Sequence, residues 1–270
     1  MSFVLFLLLG VAIGGTGTLI GVGGGFLLMP ILLWLYPTAH PDSLVALSLA
    51  MVFFNAVSGS IAYARMKRIE FKSGFIFAVA GLPGTVLGAI VSSYIGRGIF
   101  DIIIGSLLCA LAIYLFFRPE RRTATAHASS GKWHINLTDS GGETHSFSFN
   151  PWIGIAISFG VGFISSILGI GGGVIHVPAM TNLLNFPVHI ATATSHFILV
   201  IMSFSGSVAH FVQGHLAPMI GKLPPLALGV IVGAQIGARY SKKVSGRGIL
   251  RYLAIALLMV GIRTIWAVLR

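Results

Sequence analysis

A cluster of glycines occurs twice in this chain, and each copy interrupts a hydrophobic segment. The first copy reads GVGGGFLLMP from Gly21 to Pro30, and the second reads GIGGGVIHVP from Gly169 to Pro178. The copies lie 148 residues apart in a chain of 270 residues. Two broken hydrophobic segments at matching positions of two halves are typical of transporters built from an internal repeat, with the binding site at the breaks. The pair therefore predicts both an architecture and the place of a site.

The scarcity of charged residues indicates whether the protein is soluble or lies in a membrane. Charged residues make up 9% of the chain and hydrophobic residues 56%, whereas a soluble domain carries about 25% charged residues. The chain is therefore expected to be an integral membrane protein in contact with the lipid bilayer. Its net charge of +11 comes from basic residues in short loops, which positive-inside topology explains, so nucleic-acid binding is not expected.

The hydrophobic segments divide the chain into two halves of five segments each. We expect helices at about residues 3–20, 25–36, 43–64, 73–95, 99–117, 152–168, 173–185, 190–212, 219–240 and 249–268. The segment after each glycine cluster has about 12 residues, or roughly 18 Å of helix, which is too short to cross the bilayer. We therefore predict an all-α polytopic membrane protein with half-helices after the glycine clusters. Its predicted domains are membrane repeat 1 (1–117), a cytoplasmic linker (118–150) and membrane repeat 2 (151–270).

Loop charges predict that the second repeat is inverted relative to the first. The loop at residues 65–72 and the central connection are basic, which places both in the cytoplasm. In the second half the basic loop is the following one, with Lys242, Lys243 and Arg247. Positive charge has thus moved to the opposite loop of the repeat, as inversion requires. The alternative is that each broken pair forms one continuous crossing, which would leave the Lys242–Arg247 loop outside.

The central linker differs from both halves in its pattern. Apolar and polar residues alternate in KWHINLT and again in SFSF, and a DSGG turn signal lies between them. This predicts a small cytoplasmic β-hairpin, with a disordered linker as the alternative.

The glycine clusters are suited to binding an anion. Glycine lets the chain open without a Cβ clash, and the first N–H groups of the helix that follows are unpaired. Two such helix ends would present positive dipole ends to one point near the bilayer midplane. Close helix packing through small residues is the alternative use of these glycines. The backbone candidates for substrate binding are Gly21, Gly23, Gly24, Gly25, Gly169, Gly171, Gly172 and Gly173.

Polar side chains in the segments near the glycine clusters add candidate donors. Ser48, Asn55 and Ser58 are spaced by seven and three residues, so they share one helix face. Histidines nearby could donate to an anion or change protonation state. Ordinary hydrogen bonding between helices is the alternative for each of them. The side-chain candidates are Ser48, Asn55, Ser58, His176, Thr194, Ser195, His196 and Gln235.

Several function classes find no support in the sequence. The carboxylates fall in predicted loops or at a segment start, so no buried acid stands out as a cation carrier. Motifs of hydrolases and of metal sites, such as HExxH, CxxC and GxSxG, are absent. We therefore predict no enzymatic activity, no cofactor and no metal site.

These features together resemble the sulfite exporter TauE/SafE family over nearly the whole chain. The resemblance rests on both glycine motifs, on ATSH from Ala193 to His196, on SGSxA at Ser58 and at Ser205, on GxxxG at Gly84 and at Gly233, and on the polar loop before Pro151. The family often has Thr-Ser in both halves, whereas the first half here has Leu47-Ser48. The first position of half 1 therefore lacks the hydroxyl of the family pattern.

The resemblance implies transport of sulfite, sulfonates or related organosulfur anions across a prokaryotic plasma membrane. We expect a secondary transporter that exports a small sulfur-containing oxyanion by alternating access. The alternatives are an anion channel for the same substrates and a membrane scaffold or assembly protein that docks through the hairpin. The expected partners are the anion and the bilayer, and the sequence leaves open a homodimer.

Overall fold

The computed structural model describes residues 3–117, 133–241, 254, 257–259 and 261–266. These residues include nine α-helices that lie before residue 242 and one β-hairpin. The helices are α1 (Phe3–Ile20), α2 (Gly25–Leu35), α3 (Pro41–Arg65), α4 (Phe71–Ser92), α5 (Arg97–Phe117), α6 (Pro151–Leu168), α7 (Gly173–Leu183), α8 (Val188–Val212) and α9 (Leu223–Tyr240). Further helical residues lie at 257–259 and 261–266. The predicted last segment, 249–268, thus falls partly outside the described residues.

Seven helices of the described part are long and apolar enough to cross a membrane. The segments that follow the glycine clusters, α2 and α7, have 11 residues each and are too short to do so. The predicted all-α polytopic fold is therefore confirmed. One segment differs in its start, because a short 3₁₀ turn at Ala217–Lys222 leads into α9.

Local sequence signals fix several helix starts. Glu70 precedes α4, and its carboxylate accepts hydrogen bonds from the amides of Lys72 and Ser73. Asn150 precedes α6 in the same way and accepts from the Trp152 amide. Such side chains satisfy backbone donors that have no partner within the helix.

The predicted hairpin is confirmed in the described part of the linker. Strand β1 (Trp133–Thr138) pairs antiparallel with β2 (Thr144–Phe149). Phe147 and Phe149 are buried, and their rings pack at a tilt against Phe186 in the connection between α7 and α8. Residues 118–132, which contain the basic residues Arg118, Arg121, Arg122 and Lys132, lie outside the described residues.

An ion pair joins the hairpin to the basic loop at residues 65–72. Arg68 Nη2 lies 3.4 Å from Asp139 Oδ2, and both side chains are buried. The Ser140 amide donates to the Met66 carbonyl over 3.0 Å. The central connection and this loop therefore lie on the same face of the protein, as their shared charge predicts.

Helices of the two halves pack in matching pairs. Gly84 and Gly88 of α4 are pressed against α6, where an added Cβ would come within 2.1 Å of Phe159 O and 2.4 Å of Phe163 O. Gly233 and Gly237 of α9 face α1 at the equivalent carbonyls, with 2.3 Å to Val11 O and 2.2 Å to Gly15 O. These GxxxG motifs thus serve close helix packing, and the same contact is built twice.

The repeat is inverted, because its equivalent helices α3 and α8 run antiparallel. Asp42 at the start of α3 and His210 near the end of α8 have side-chain atoms within 4.8 Å of each other. At the opposite end, Glu70 N beyond α3 donates to Thr194 Oγ1 early in α8 over 3.0 Å. This orientation agrees with the loop charges, although Lys242, Lys243 and Arg247 themselves lie outside the described residues.

Candidate functional site

Each long helix that leads to a glycine cluster ends in a left-handed glycine. Gly21 closes α1 with φ of +90°, and Gly169 closes α6 with φ of +66°. Val22 N donates to Gly17 O over 2.8 Å, and Gly169 N donates to Ser165 O over 2.9 Å. Such bonds satisfy the last carbonyls of a helix when the chain turns away in a conformation that only glycine adopts readily.

The chain folds back at each break. A Cβ on Gly17 would lie only 2.4 Å from Gly24 N, whereas seven residues of continuous helix span about 10 Å. In the other half a Cβ on Gly172 would lie 2.5 Å from Val161 Cγ1. The half-helices α2 and α7 therefore begin beside the last turns of the helices before them, which excludes one continuous crossing for each pair.

The two breaks meet each other inside the protein. A Cβ on Gly25 would lie 2.7 Å from Ile170 O, and a Cβ on Gly173 would lie 2.7 Å from Gly21 O. We call this contact of residues 21–25 with residues 169–173 the glycine crossing. All eight glycines predicted as backbone candidates are buried in it.

The glycine crossing also brings together the starts of α2 and α7. The first helical hydrogen bonds are donated by Leu27 and Leu28 to Gly24 O, and by Ile175 and His176 to Gly172 O. The backbone amides before Leu27 and before Ile175 have no partner within their helices. They carry the partial positive charge of a helix start, which favours binding of an anion. The described carboxylates do not oppose this charge, because they lie in loops, in the hairpin turn, in the first turn of α3 or near the start of α5: Asp42, Glu70, Asp101, Asp139 and Glu143.

Apolar side chains of the antiparallel helices α3 and α8 close the crossing. A Cβ on Gly23 would lie 2.8 Å from Leu199 Cδ1, and a Cβ on Gly171 would lie 3.1 Å from Val52 Cγ1. Val52 and Leu199 are equivalent residues of the two repeats and are both buried. One apolar residue from each half therefore packs directly on the glycine crossing.

Two predicted side chains are joined through a residue that the sequence analysis missed. Thr18 Oγ1 lies 3.2 Å from Asn55 Oδ1 and 3.3 Å from His196 Nε2. Tyr63 donates its hydroxyl proton to Thr18 O over 2.7 Å. Thr18 lies one turn before the first break, and its equivalent before the second is Ser166. A hydroxyl at both of these positions is the signal that would have identified it.

Other predicted residues contact the breaks more directly. Ser48 donates to Gly169 O over 2.5 Å. A Cβ on Gly172 would lie 3.3 Å from His176 Nδ1, and His176 Nε2 lies 3.1 Å from Ser158 Oγ. Ser158 is a second residue that the sequence analysis missed.

Three buried polar atoms among the predicted side chains have no hydrogen-bond partner in the structure: Asn55 Nδ2, His176 Nδ1 and Ser195 Oγ. Leaving such an atom without a partner costs about 1–3 kcal/mol. Unpaired donors and acceptors in a membrane interior are therefore candidates for contact with a substrate.

The remaining predicted side chains are bonded between helices. Thr194 accepts from the Glu70 amide at the α3–α4 connection. Gln235 Nε2 donates to Ser58 O over 2.7 Å and lies 2.9 Å from Ser58 Oγ. Their observed contacts are those of helix packing, as the alternative in the sequence analysis has it.

An apolar groove runs beside the crossing and has a free volume of only about 20 Å³. Its lining carries no charged side chain and consists of Ile20, Val22, Phe26, Leu111, Tyr114, Val174, Val177 and Pro178. It therefore does not offer an anion the donors that the crossing does.

Comparison with known proteins assigns this architecture to a family. The family model described as "Sulfite exporter TauE/SafE" matches residues 6–264. The chain is 34% identical to the probable membrane transporter protein YunE of Bacillus subtilis, over 98% of each chain. It is 26% identical to a probable membrane transporter protein of Methanocaldococcus jannaschii, over 96% of this chain and 93% of the relative. No solved structure matches.

Proposed function

We propose that this chain, which belongs to the sulfite exporter TauE/SafE family, is a secondary transporter that exports a small sulfur oxyanion or sulfonate across a prokaryotic plasma membrane. The family is one of membrane transporters rather than enzymes, and the relatives are named accordingly. The observation that carries the proposal is the meeting of two half-helix starts at the glycine crossing, far in sequence and adjacent in space.

The anion would bind to backbone N–H groups at the starts of α2 and α7. Asn55 Nδ2 and Ser195 Oγ, which are buried without partners, would supply side-chain donors. An oxyanion suits this set because it accepts several hydrogen bonds and is favoured by two positive helix ends. Sulfite and sulfonates share this chemistry, and the family description favours them over other oxyanions.

Access would alternate as the two inverted halves rock against each other around the crossing. Val52 on α3 and Leu199 on α8 close the crossing from the two repeats. A small movement of α3 against α8 would therefore uncover the helix starts to one side at a time. In the orientation that the loop charges favour, residues 65–72 and the hairpin face the cytoplasm.

A scaffold role is less well supported, because the hairpin is built into the membrane part. Phe147 and Phe149 are buried, and Asp139 pairs with Arg68. A docking module would instead leave its apolar side chains free for a partner.

The test is transport by the purified protein in proteoliposomes. We expect saturable uptake of radiolabelled sulfite or a C2 sulfonate, accelerated by the same anion loaded on the other side. Flux that neither saturates nor responds to counter-anion would indicate a channel. Absence of any sulfur-anion flux, together with flux of a cation, would overturn the proposal. The Gly160→Ala variant is a matched control, because no atom lies within 4 Å of the added Cβ.

A further inference from the structure

Three side chains with metal-binding atoms converge at one end of the α3–α8 pair. Asp42 lies in the first turn of α3, His210 in the last turn of α8, and His215 in the connection after α8. Their ligating atoms all lie within 4.8 Å of one another. The two histidines approach most closely, with 3.1 Å between their Nδ1 atoms.

We infer that Asp42, His210 and His215 form a binding site for a divalent transition-metal ion, Zn²⁺ in the first place. Two imidazole nitrogens and one carboxylate oxygen are a ligand set that Zn²⁺ takes, with water in the fourth position. Ligand atoms about 2.0–2.1 Å from a tetrahedral ion lie roughly 3.3 Å apart. The Nδ1 pair is already near that separation. The carboxylate oxygen lies within 4.8 Å of both nitrogens, so it would move by at most about 1.5 Å to bind the same ion.

The hydrogen bond of His210 Nε2 leaves the Nδ1 atom of the same ring unprotonated and able to bind a metal. His210 Nε2 lies 3.3 Å from the Ser166 carbonyl oxygen, which can only accept, so Nε2 carries the proton. In neutral imidazole the other nitrogen then has a free lone pair. A backbone carbonyl on the far ring nitrogen is the usual second partner of a metal-bound histidine.

The surroundings of Asp42 are also those of a metal-bound carboxylate. Asp42 is only 2% exposed, and a buried carboxylate requires a partner of positive charge or a metal. Its ion-pair partner within the described residues is His40, whose Nδ1 lies 3.2 Å from Asp42 Oδ2. Arg97 is engaged with other groups, because it donates to Ala39 O and pairs with Asp101 over 2.8 Å.

The sequence analysis predicts no metal site because these ligands belong to no short motif. Asp42 comes from one repeat and the histidines from the other, and only the antiparallel packing of α3 on α8 brings them together. The equivalent positions at the opposite end hold Tyr63, Arg68 and His189. A guanidinium there repels a metal ion, so the cluster is specific to one end, which the loop charges place on the extracytoplasmic side.

The experiment is a metal titration of the purified full chain, prepared without a polyhistidine tag and washed with a chelator. Zn²⁺ is titrated against a chromogenic chelator, and Co²⁺ is added separately to read its visible absorption. We expect one ion per chain and a Co²⁺ spectrum of nitrogen and oxygen ligation. Asp42→Asn and His215→Ala should each weaken binding by at least about tenfold, the lower end of what loss of a supporting partner causes.

Two histidine variants of the hairpin serve as controls. His134→Ala, at an exposed position of β1, should leave the affinity unchanged. His145 lies in a second group with Asp139 and Glu143, so loss of the ion in His145→Ala would move the site to the hairpin and overturn the inference. Absence of stoichiometric binding, or equal binding by the parent and by His215→Ala, would reduce the cluster to a hydrogen bond between two histidines.

Thermal unfolding provides a second measurement that does not depend on transport. An ion held by both repeats should stabilise the protein, because it binds the folded state alone. Zn²⁺ should therefore raise the Tm of the parent chain and of His134→Ala but not that of His215→Ala. An equal rise in all three would contradict the site.

Discussion

The two halves of this molecule share a backbone but only some of their polar side chains. Gly25 packs against Ile170, and the equivalent Gly173 packs against the equivalent Val22. The close contacts that the GxxxG motif of α4 makes with α6 are repeated between α9 and α1. The side chains around this common frame differ. In the first half against the second, the equivalent residues are Leu28 and His176, Leu47 and Thr194, Leu49 and His196, and Asn55 and Met202.

This difference separates what the fold requires from what the chemistry requires. Glycines recur because the crossing leaves no room for a Cβ on either side. Under the proposed function, polar residues need not recur, because a single small anion would occupy a path that both halves line. Leu49 and His196 illustrate the point, since each packs against the equivalent glycine of the other half, Gly206 and Gly59. The two residues thus fill equivalent positions of the two halves, but one side chain is apolar and the other is polar.

The largest effect should come from breaking what the halves share. An added Cβ in Gly25→Ala or Gly173→Ala would lie 2.7 Å from backbone atoms of the opposite break. Overpacking of this kind destabilises a protein by about 1–3 kcal/mol, and here no flexible side chain can yield. We expect both variants to lose transport and to unfold at lower temperature in detergent, to a similar extent.

Gly160→Ala is the matched control for this pair, because its Cβ meets no atom within 4 Å. It should keep transport and stability. Full activity of either crossing variant would show that the two breaks do not need their close contact.

The next effect concerns a residue that the halves do not share. His196→Leu gives the second half the residue of the first, and it removes the imidazole that lies 3.3 Å from Thr18 Oγ1. Because this contact lies beside the glycine crossing, we expect its loss to slow transport about tenfold, which corresponds to about 1.4 kcal/mol in the barrier. Initial rates in proteoliposomes provide the measurement.

Leu49→Met is the control at the equivalent position of the first half, and its transport rate should stay near that of the parent. Equal losses in both variants would mean that packing, rather than polarity, matters at this position.

The backbone arrangement that the two halves share could be predicted from the sequence, because it depends on local sequence signals. Glycine clusters mark the breaks, hydrophobic segments give the helices, and DSGG gives the turn of the hairpin. The described helix starts other than that of α9 agree with the predicted ones within about two residues. Pro41 and Pro151 help at two of them, because they sit at the first helical positions.

The polar contacts could not be predicted, because they depend on which helices meet. Thr18 gains its role from α3 and α8, which pack against the end of α1. Asp42 and His215 come together only through the antiparallel α3–α8 contact. Gln235 and Ser58 were grouped with the site by their polarity, whereas they bond to each other between α9 and α3.

A smaller effect should separate Ser48 from Ser195, which occupy equivalent positions. Ser48 donates to Gly169 O over 2.5 Å, while Ser195 Oγ is buried without a partner. Ser48→Ala should therefore lower stability by about 0.5–1.5 kcal/mol, the net value of one hydrogen bond. Ser195→Ala should leave stability unchanged and weaken binding of the anion.

Thermal unfolding and the KM of sulfite uptake, measured on both variants, distinguish the two roles. A lower Tm in Ser195→Ala with unaltered KM would remove Ser195 from the proposed site.

The smallest effect is expected at Gln235, where the halves differ in a contact that joins them. Its equivalent in α4 is Val86, which is exposed and forms no such bond. Gln235→Met keeps the volume but removes the donor to Ser58 O. Because Gln235 is half-buried, water can replace part of this bond, and the loss of stability should stay below about 1 kcal/mol. Transport should persist if this contact only packs α9 on α3. Loss of transport at unchanged Tm would place Gln235 on the substrate path, and the chemical asymmetry of the halves would then extend to their α4 and α9 helices.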